Sequence, residues 1–510
     1  MVEKRYLAIL CLVIMLLVSV PYVVGFQASN AQQQFGGFLI NPMDGHSYLA
    51  KMQQGFNGEW KFKLPYTAEP GEGAYLFLFY LGLGHLGRIV NIPLIYVFHA
   101  ARLVSAAWLI LVVYQMMRAI FEDKKAVGTG LVLALTGSGL GWIGVLTGAF
   151  TSDFWVAEAY PFLSMYTNPH FVLGLGMMIN AFLPKQQNRI FNNLISGLLL
   201  GIIQPFAIVI VGLVKIISCG LKIYREKLDL KGMVKSTWIW ATVSFNLSGG
   251  MVILYQLGAI LGDPVLSLWH QQNITLKPTP LDLVISLSPC LLLGVVGAGK
   301  AWKSETGKTL VLWGAICLVL VFIPWSLQRR FLTGIFFPLA ALSIFGLYVL
   351  AEKTSLDFKY WGLAVLILAI PTNMIVITSG LQAISEKNSK IFIERDLVEG
   401  LEWINANAGK HDLVLAEQRA GLFLPSVTGR RVVYGHPFET IQAEGELKLL
   451  EQIFQEPQAD SYYEEVLESR GVDYVLCGAG QEKKFSDWLQ AQWKLVFRSN
   501  EISLYARQPR

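Results

Sequence analysis

Apolar runs long enough to cross a bilayer fill most of the first 380 residues, separated by short polar segments that hold most of the charge. Roughly 20 apolar residues in an α-helix match the hydrocarbon thickness, so the pattern predicts about eleven transmembrane helices. They fall near 6–25, 94–117, 126–149, 161–183, 190–203, 205–218, 237–262, 281–298, 309–325, 331–350 and 360–380. Two stretches read either way. Ala74 to Asn91 is apolar but interrupted by Gly82, Gly84, His85, Gly87 and Arg88, and 190–218 is either one helix or two broken at Gln204-Pro205. After Ser379 the pattern changes, and residues 385–510 read as an α/β domain. An amphipathic helix is expected over Glu394 to Asn407 and a polar helical stretch over Thr440 to Arg470. Strands are expected at Asp412 to Ala416, Arg431 to Tyr434, Val472 to Cys477, Lys494 to Arg498 and Ile502 to Ala506. Alternating strands and helices predict a small, partly parallel sheet.

Composition agrees: 54% of residues are hydrophobic and only 15% charged, against about 25% charged in soluble domains, so most of the chain is solvated by lipid. The fold class is a polytopic α-helical membrane protein, residues 1–384, followed by a C-terminal α/β domain, 385–510. The net charge of +5 hides two unlike parts. Residues 1–384 carry 26 Lys and Arg against 16 Asp and Glu, and residues 385–510 carry 15 against 20. The basic residues form short clusters between apolar runs, which argues for cytoplasmic loops and against nucleic-acid binding. If 74–91 lies in the interface and 190–218 is a hairpin, four clusters share the side of Lys4 and Arg5: Arg118/Lys124/Lys125, Lys185/Arg189, Lys222 to Lys235, and Lys300/Lys303/Lys308. That side is the cytoplasm, which puts the N-terminus inside a multi-pass cell membrane and the C-terminal domain outside. The first run resembles a signal peptide but is long for one and lacks a small-residue cleavage site, so an uncleaved helix is expected. Cys11, Cys219, Cys290, Cys317 and Cys477 show neither metal nor disulfide spacing.

The outer side then receives loop 26–73, residues 151–160 and 263–280, and the Gln328-Arg329-Arg330 turn. In Asn41-Pro42-Met43-Asp44-Gly45-His46, directly after the first apolar run, Asp44 should stand just outside the bilayer. There it serves either as a general base or as the cap of a short helix over His46 to Gln54. Arg329 and Arg330, in a very short turn between two apolar runs, sit against the charge rule. Paired guanidiniums bind phosphate oxygens bidentately, though they also anchor helix ends at headgroups. The loop from Asp263 to Asn273 offers Trp269, His270 and Gln271, side chains suited to sugar rings and hydroxyls, although Trp also marks membrane interfaces.

Asn41 to Tyr48, Pro65-Tyr66-Thr67-Ala68-Glu69-Pro70, Tyr80-Leu81-Gly82-Leu83-Gly84, Phe98-His99-Ala100-Ala101-Arg102 and Thr428 to Thr440 together resemble the GT-C glycosyltransferases. These membrane enzymes use polyprenyl-phosphate sugars, as the protein mannosyltransferases and aminoarabinose transferases do, and the late segment is similar to one in the outer domains of bacterial members. The resemblance implies an inverting hexosyl or pentosyl transfer outside the membrane, to a glycan, lipid or protein acceptor. It implies Asp44 as catalytic base and a second acidic residue, with Asp153 or Glu158 in position for it. It leaves a divalent metal open, and this chain has Asp44-Gly45 where many members carry Asp-Glu. Arg329 and Arg330 would hold the donor phosphate, with Arg102 and Lys51 as further candidates. Substrate contacts are expected of His46, Glu69 and His170, whose alternatives are packing for the histidines and a solvated charge for Glu69. Arg102, inside an apolar run, needs a partner in any case. Arg430, Arg431, His436 and Glu439, near strand ends of the outer domain, are expected to be structural within it, the alternative being that they face the membrane cavity. Two other classes compete: a transporter or flippase for lipid-linked glycans, and a non-catalytic protein that binds them. Neither a repeat of hydropathy nor midplane acidic groups favour the transporter.

Overall fold

The computed structural model describes residues 2–455, 460–478 and 493–508. It divides into two compact units, one made of Met1–Val23, His99–Tyr255 and Thr275–Gln382, the other of Val24–Phe98, Gln256–Ile274 and Ala383–Arg510.

The first unit is helical. Among the described residues, six helices are long and apolar enough to cross a membrane, or seven if a bent pair, Pro280–Leu287 and Cys290–Ala301, is one span. The apolar runs suggest about eleven spans, and the difference lies in runs that break or form shorter helices, as Ile190–Ile203 and Glu305–Leu320 do. Residues 126–149 become the helices Lys124–Thr136 and Gly141–Leu146, because the chain turns at Gly137-Ser138-Gly139. A Cβ on Gly139 would lie 2.0 Å from the carbonyl oxygen of Ser286, so only glycine permits that approach. The carbonyls released there are taken up by Asn373 Nδ2, which donates to Thr136 O (2.9 Å) and Gly137 O (3.2 Å). Broken backbone within a helical bundle persists where such donors satisfy it. Residues 161–183 break at Asn168-Pro169 for want of a proline N–H, and 190–218 forms two helices, Ile190–Ile203 and Pro205–Glu226.

The second unit contains the sheet. In chain order its strands are β1 (Gln33–Phe35), β2 (Phe392–Glu394), β3 (Leu413–Ala416), β4 (Arg431–Val432), β5 (Tyr474–Gly478), β6 (Trp493–Arg498) and β7 (Ile502–Arg507). β1 and β2 pair antiparallel; the others form one sheet in the order β4-β3-β5-β7-β6, with β3 parallel to β4 and β5 and the last pairings antiparallel. Alternation of side chains divides the core. Leu413, Leu415, Val475 and Cys477 pack with Leu450, Phe454 and Leu467, while Val414, Ala416 and Leu476 pack with Leu397, Leu401 and Phe423. Of the polar stretch from Thr440 to Arg470, Ala443–Gln455 and Asp460–Ser469 are helical, and 456–459 lie outside the described residues.

The same unit holds the helices Pro42–Phe56 and Leu78–Val90. A Cβ on Gly84 would lie 1.9 Å from Met52 O, and one on Gly55 2.1 Å from Leu81 O. The glycines that interrupt the 74–91 run therefore serve close helix contact. The expected polar loop at 263–273 is instead the helix Pro264–Gln272, capped by Asp263, which accepts from Val265 N and Leu266 N. An Asp before a proline at the first helical position is a strong helix start.

Candidate functional site

The helix Pro42–Phe56 begins one turn earlier than its apolar pattern indicates, with Pro42 at its first turn and Asn41 as N-cap at φ 48. Asp44 therefore lies within the first turn and is not the cap. Its side chain is about half exposed, and Oδ1 stands 3.9 Å from His436 Nε2. The imidazole is buried, and its Nδ1 accepts the backbone N–H of Phe438 (3.2 Å). A neutral His436 must then carry its proton on Nε2, which finds no hydrogen-bond partner among the described residues. Burial lowers the His436 pKa despite the carboxylates of Glu439 and Asp44, so the neutral ring is favoured.

One and two turns further along the helix, Ser47 and Lys51 are buried. Lys51 Nζ donates to Ser47 Oγ (2.6 Å) and Glu439 Oε1 (2.7 Å), and Ser47 Oγ donates to the same carboxylate oxygen. The ammonium also lies over the rings of Phe77 (4.7 Å), Phe62 (5.2 Å) and Tyr48 (5.6 Å). Burial pushes the Glu439 carboxyl up, but Lys51, His436 and Ser47 together hold it below the usual range. Lys51, expected on donor phosphate, is thus engaged by an internal carboxylate. Ser47 and Glu439 were the partners to look for: a lysine on the inward face of a helix requires a counter-charge, and Ser47 stands four residues before it.

His46 is buried against Phe423 (4.6 Å) and Phe38 (5.2 Å). Ser426 Oγ donates to Phe423 O, so it accepts from His46 Nδ1 (3.1 Å). Burial lowers the His46 pKa to about 3, which keeps it neutral. Its place is the core, and so is that of Trp269, packed with Phe62, Leu266 and Phe77. His270 is partly exposed; Gln271 and Glu69 are exposed, and Gln271 Nε2 donates to Ser267 Oγ (3.3 Å). Arg431, expected to be structural, donates to Ala68 O and His411 O, and Arg430 to Ala408 O (2.6 Å).

In the first unit, Arg329 and Arg330 do not occupy a very short turn. Helices end at Leu320 and restart at Phe336, and between them Gln328–Leu332 is a 3-10 turn, with Gly334 at φ 68. Arg330 Nη1 donates to Glu158 Oε1 (3.0 Å), which joins a phosphate candidate to a candidate second acid. The Arg329 guanidinium lies 4.6 Å from the centre of the Trp155 ring. Asp153 is fully buried and accepts from Thr151 Oγ1 (2.6 Å) and Gly141 N (3.0 Å). Ser152 donates from both its N and Oγ to Asp282, a carboxylate that the sequence reading passes over. Arg102 has the partners its position demands. It donates to Val18 O (3.0 Å), Met165 O (2.7 Å) and His99 Nδ1 (3.3 Å), and stacks over Tyr22 (4.4 Å). Those carbonyls occupy donors that a phosphate would use. His170 is partly exposed at the first turn of the helix Pro169–Phe182, beside Phe171. Among the described residues no three His, Cys, Asp or Glu side chains gather as a metal site.

No protein-family model and no curated protein matches the sequence. Solved structures do resemble it. The apo oligosaccharyltransferase of Archaeoglobus fulgidus superposes with a TM-score of 0.55 at 14% identity, covering 99% of this chain and 74% of that one. The archaeal oligosaccharyltransferase AglB from the same organism, with an inhibitory peptide and a dolichol-phosphate, gives 0.53 at 13% identity over 96% and 71%. ArnT from Cupriavidus metallidurans gives 0.47 at 11% over 97% and 98%. What the chain shares at these identities is a fold, that of the archaeal oligosaccharyltransferase.

Proposed function

We propose that the chain is an inverting membrane glycosyltransferase. It moves a sugar from a polyprenyl-phosphate donor to an acceptor hydroxyl on the outer side of the membrane. The shared fold supports the class, and the AglB structure with dolichol-phosphate supports the donor chemistry. The observation that carries the assignment of Asp44 is its half-exposed carboxylate on a helix whose buried face is fastened through Ser47, Lys51 and Glu439. A base must meet solvent and substrate on one side and be held on the other.

In this mechanism the acceptor oxygen attacks the anomeric carbon from the face opposite the phosphate as its proton passes to Asp44. The bond from that carbon to the phosphate oxygen breaks, and its electron pair leaves on the lipid phosphate. We assign Arg329 and Arg330 to that developing charge, since guanidiniums keep their charge when water is excluded. Glu158 positions Arg330, and Asp153, whose oxygens are taken by Thr151 and Gly141, has no step.

The test is transfer by purified protein from a panel of polyprenyl-phosphate sugars. Asp44→Asn should lower the rate roughly 10²- to 10⁴-fold, the range of a lost general base, with the unfolding temperature unchanged. Intact transfer by that variant removes Asp44 from the mechanism. Failure of the wild type to transfer or hydrolyse any donor favours the transporter and lipid-glycan-binding readings. Arg329→Gln is the cleaner test of the phosphate, because removing Arg330 also strands the buried Glu158 carboxylate.

A further inference from the structure

A cavity of about 270 Å³ opens within the first unit, walled by the helices Pro205–Glu226, Thr237–Gly262 and Glu305–Leu320 and by the end of Pro169–Phe182. Lys215 lines it, and its Nζ donates to Ala181 O (2.9 Å) and Asn193 Oδ1 (2.9 Å) beside the rings of Phe245 and Phe182. All of these partners are neutral. Among the described residues no carboxylate stands within ion-pair distance of Lys215, although an ammonium taken out of water calls for an anion.

Around it the charges do not balance. Lys222, Arg225 and Lys308 line the same cavity with Glu226 and Glu305. Glu305 accepts from both Arg225 and Lys308, and Glu226 lies 4.0 Å from Lys222 and 3.8 Å from Arg225. With Lys215 this makes four cations against two carboxylates, a surplus of two, and Lys215 is the one that meets neither carboxylate. Phe182, Leu221 and Leu312 supply an apolar part of the wall. A free anion has no use for that surface, but a phosphate carried on an acyl glycerol does. Lys222, Arg225 and Lys308 come from the clusters that the charge distribution assigns to the cytoplasmic face, where basic pockets between helices take anionic headgroups.

We propose that this cavity binds the headgroup phosphate of an anionic phospholipid from the leaflet on the basic side. Lys215 is the internal counter-charge, and Lys222 and Arg225 are the outer contacts. The site is separate from the transfer mechanism and stands without it.

The experiment uses the full chain in vesicles of phosphatidylcholine with or without phosphatidylglycerol, followed by detergent extraction and mass spectrometry of the retained lipid. Wild type should retain phosphatidylglycerol selectively and unfold at a higher temperature with it than with phosphatidylcholine alone. Lys215→Met keeps the rim charges and should weaken that preference roughly tenfold, the worth of one charge-assisted hydrogen bond. Lys222→Gln combined with Arg225→Gln alters only the rim and should weaken it in the same direction, which keeps the test valid should Lys215→Met fold poorly. Equal retention of the two lipids, or a preference that survives both variants, overturns the proposal. Inorganic phosphate is the second probe: if it alone raises the unfolding temperature of delipidated protein, and Lys215→Met abolishes that rise, the site takes free phosphate and the lipid assignment is wrong.

Discussion

Lys51 and Lys215 are both drawn into apolar surroundings with aromatic rings beside the ammonium, and they end in opposite situations. Lys51 is fully buried and meets Glu439 at 2.7 Å. Lys215 is only partly buried, meets a carbonyl and an amide, and borders a cavity. The first is a closed internal pair that fastens the helix bearing Asp44. The second has acceptors but no counter-charge, the condition of a binding group. What a lysine among apolar residues does is thus decided by whether the protein brings a carboxylate to it.

The sharpest way to break this comparison is to remove the carboxylate. Glu439→Gln leaves the Lys51 ammonium buried and uncompensated, and should cost about 3–5 kcal/mol in unfolding experiments. Lys51→Met with Glu439→Gln should recover much of that loss, because the charge and its partner leave together. If the single variant is as stable as wild type, the pair does not fasten the helix.

Acidification probes the same unit. Glu439 has a depressed pKa in the folded state, so its stabilisation is present above its unfolded value, roughly 4.3, and is lost as pH falls through the folded one. His46 is held neutral down to about 3, whereas its unfolded value is roughly 6.5. Between those two values the unfolded chain binds the extra proton, so stability falls as pH is lowered. Unfolding temperatures measured across that window should decline toward acid, and His46→Asn should flatten the upper part of the decline. A flat profile in the wild type contradicts the burial of His46.

Lys215→Met in lipid-free detergent should change stability by about 1 kcal/mol or less, since it leaves behind only neutral acceptors. A loss as large as that of Glu439→Gln would mean that Lys215 holds the bundle together rather than waiting for a ligand. The smallest effect on stability belongs to Asp44→Asn, within about 0.5 kcal/mol for an exposed first-turn residue. Its consequence should appear in transfer alone.

Much of the architecture is legible in the amino-acid order. Proline marks the break at 205, short apolar runs mark strands β3 and β5, and the flanking helices give a partly parallel sheet. Spans are harder to count, because an apolar run records only that lipid or protein surrounds it. The run 126–149 has the composition of a span, yet its glycines fold it back against Ser286 and Asn373 supplies the missing donors. Candidate residues divide in the same way. That Arg102 needs partners follows from its apolar neighbours, but which carbonyls supply them does not.

By itself, then, the chain's order determined the membrane character, the acidic composition after Ser379 and the polar stretch that carries Asp44. These depend on the solvent each segment prefers, and that preference is local. The tertiary structure alone decided which charges are spent on one another: Lys51 on Glu439 across 388 positions and Arg330 on Glu158 across 172. An ion pair gains strength only where folding has excluded water from both groups, and no window of sequence holds both ends of such a contact.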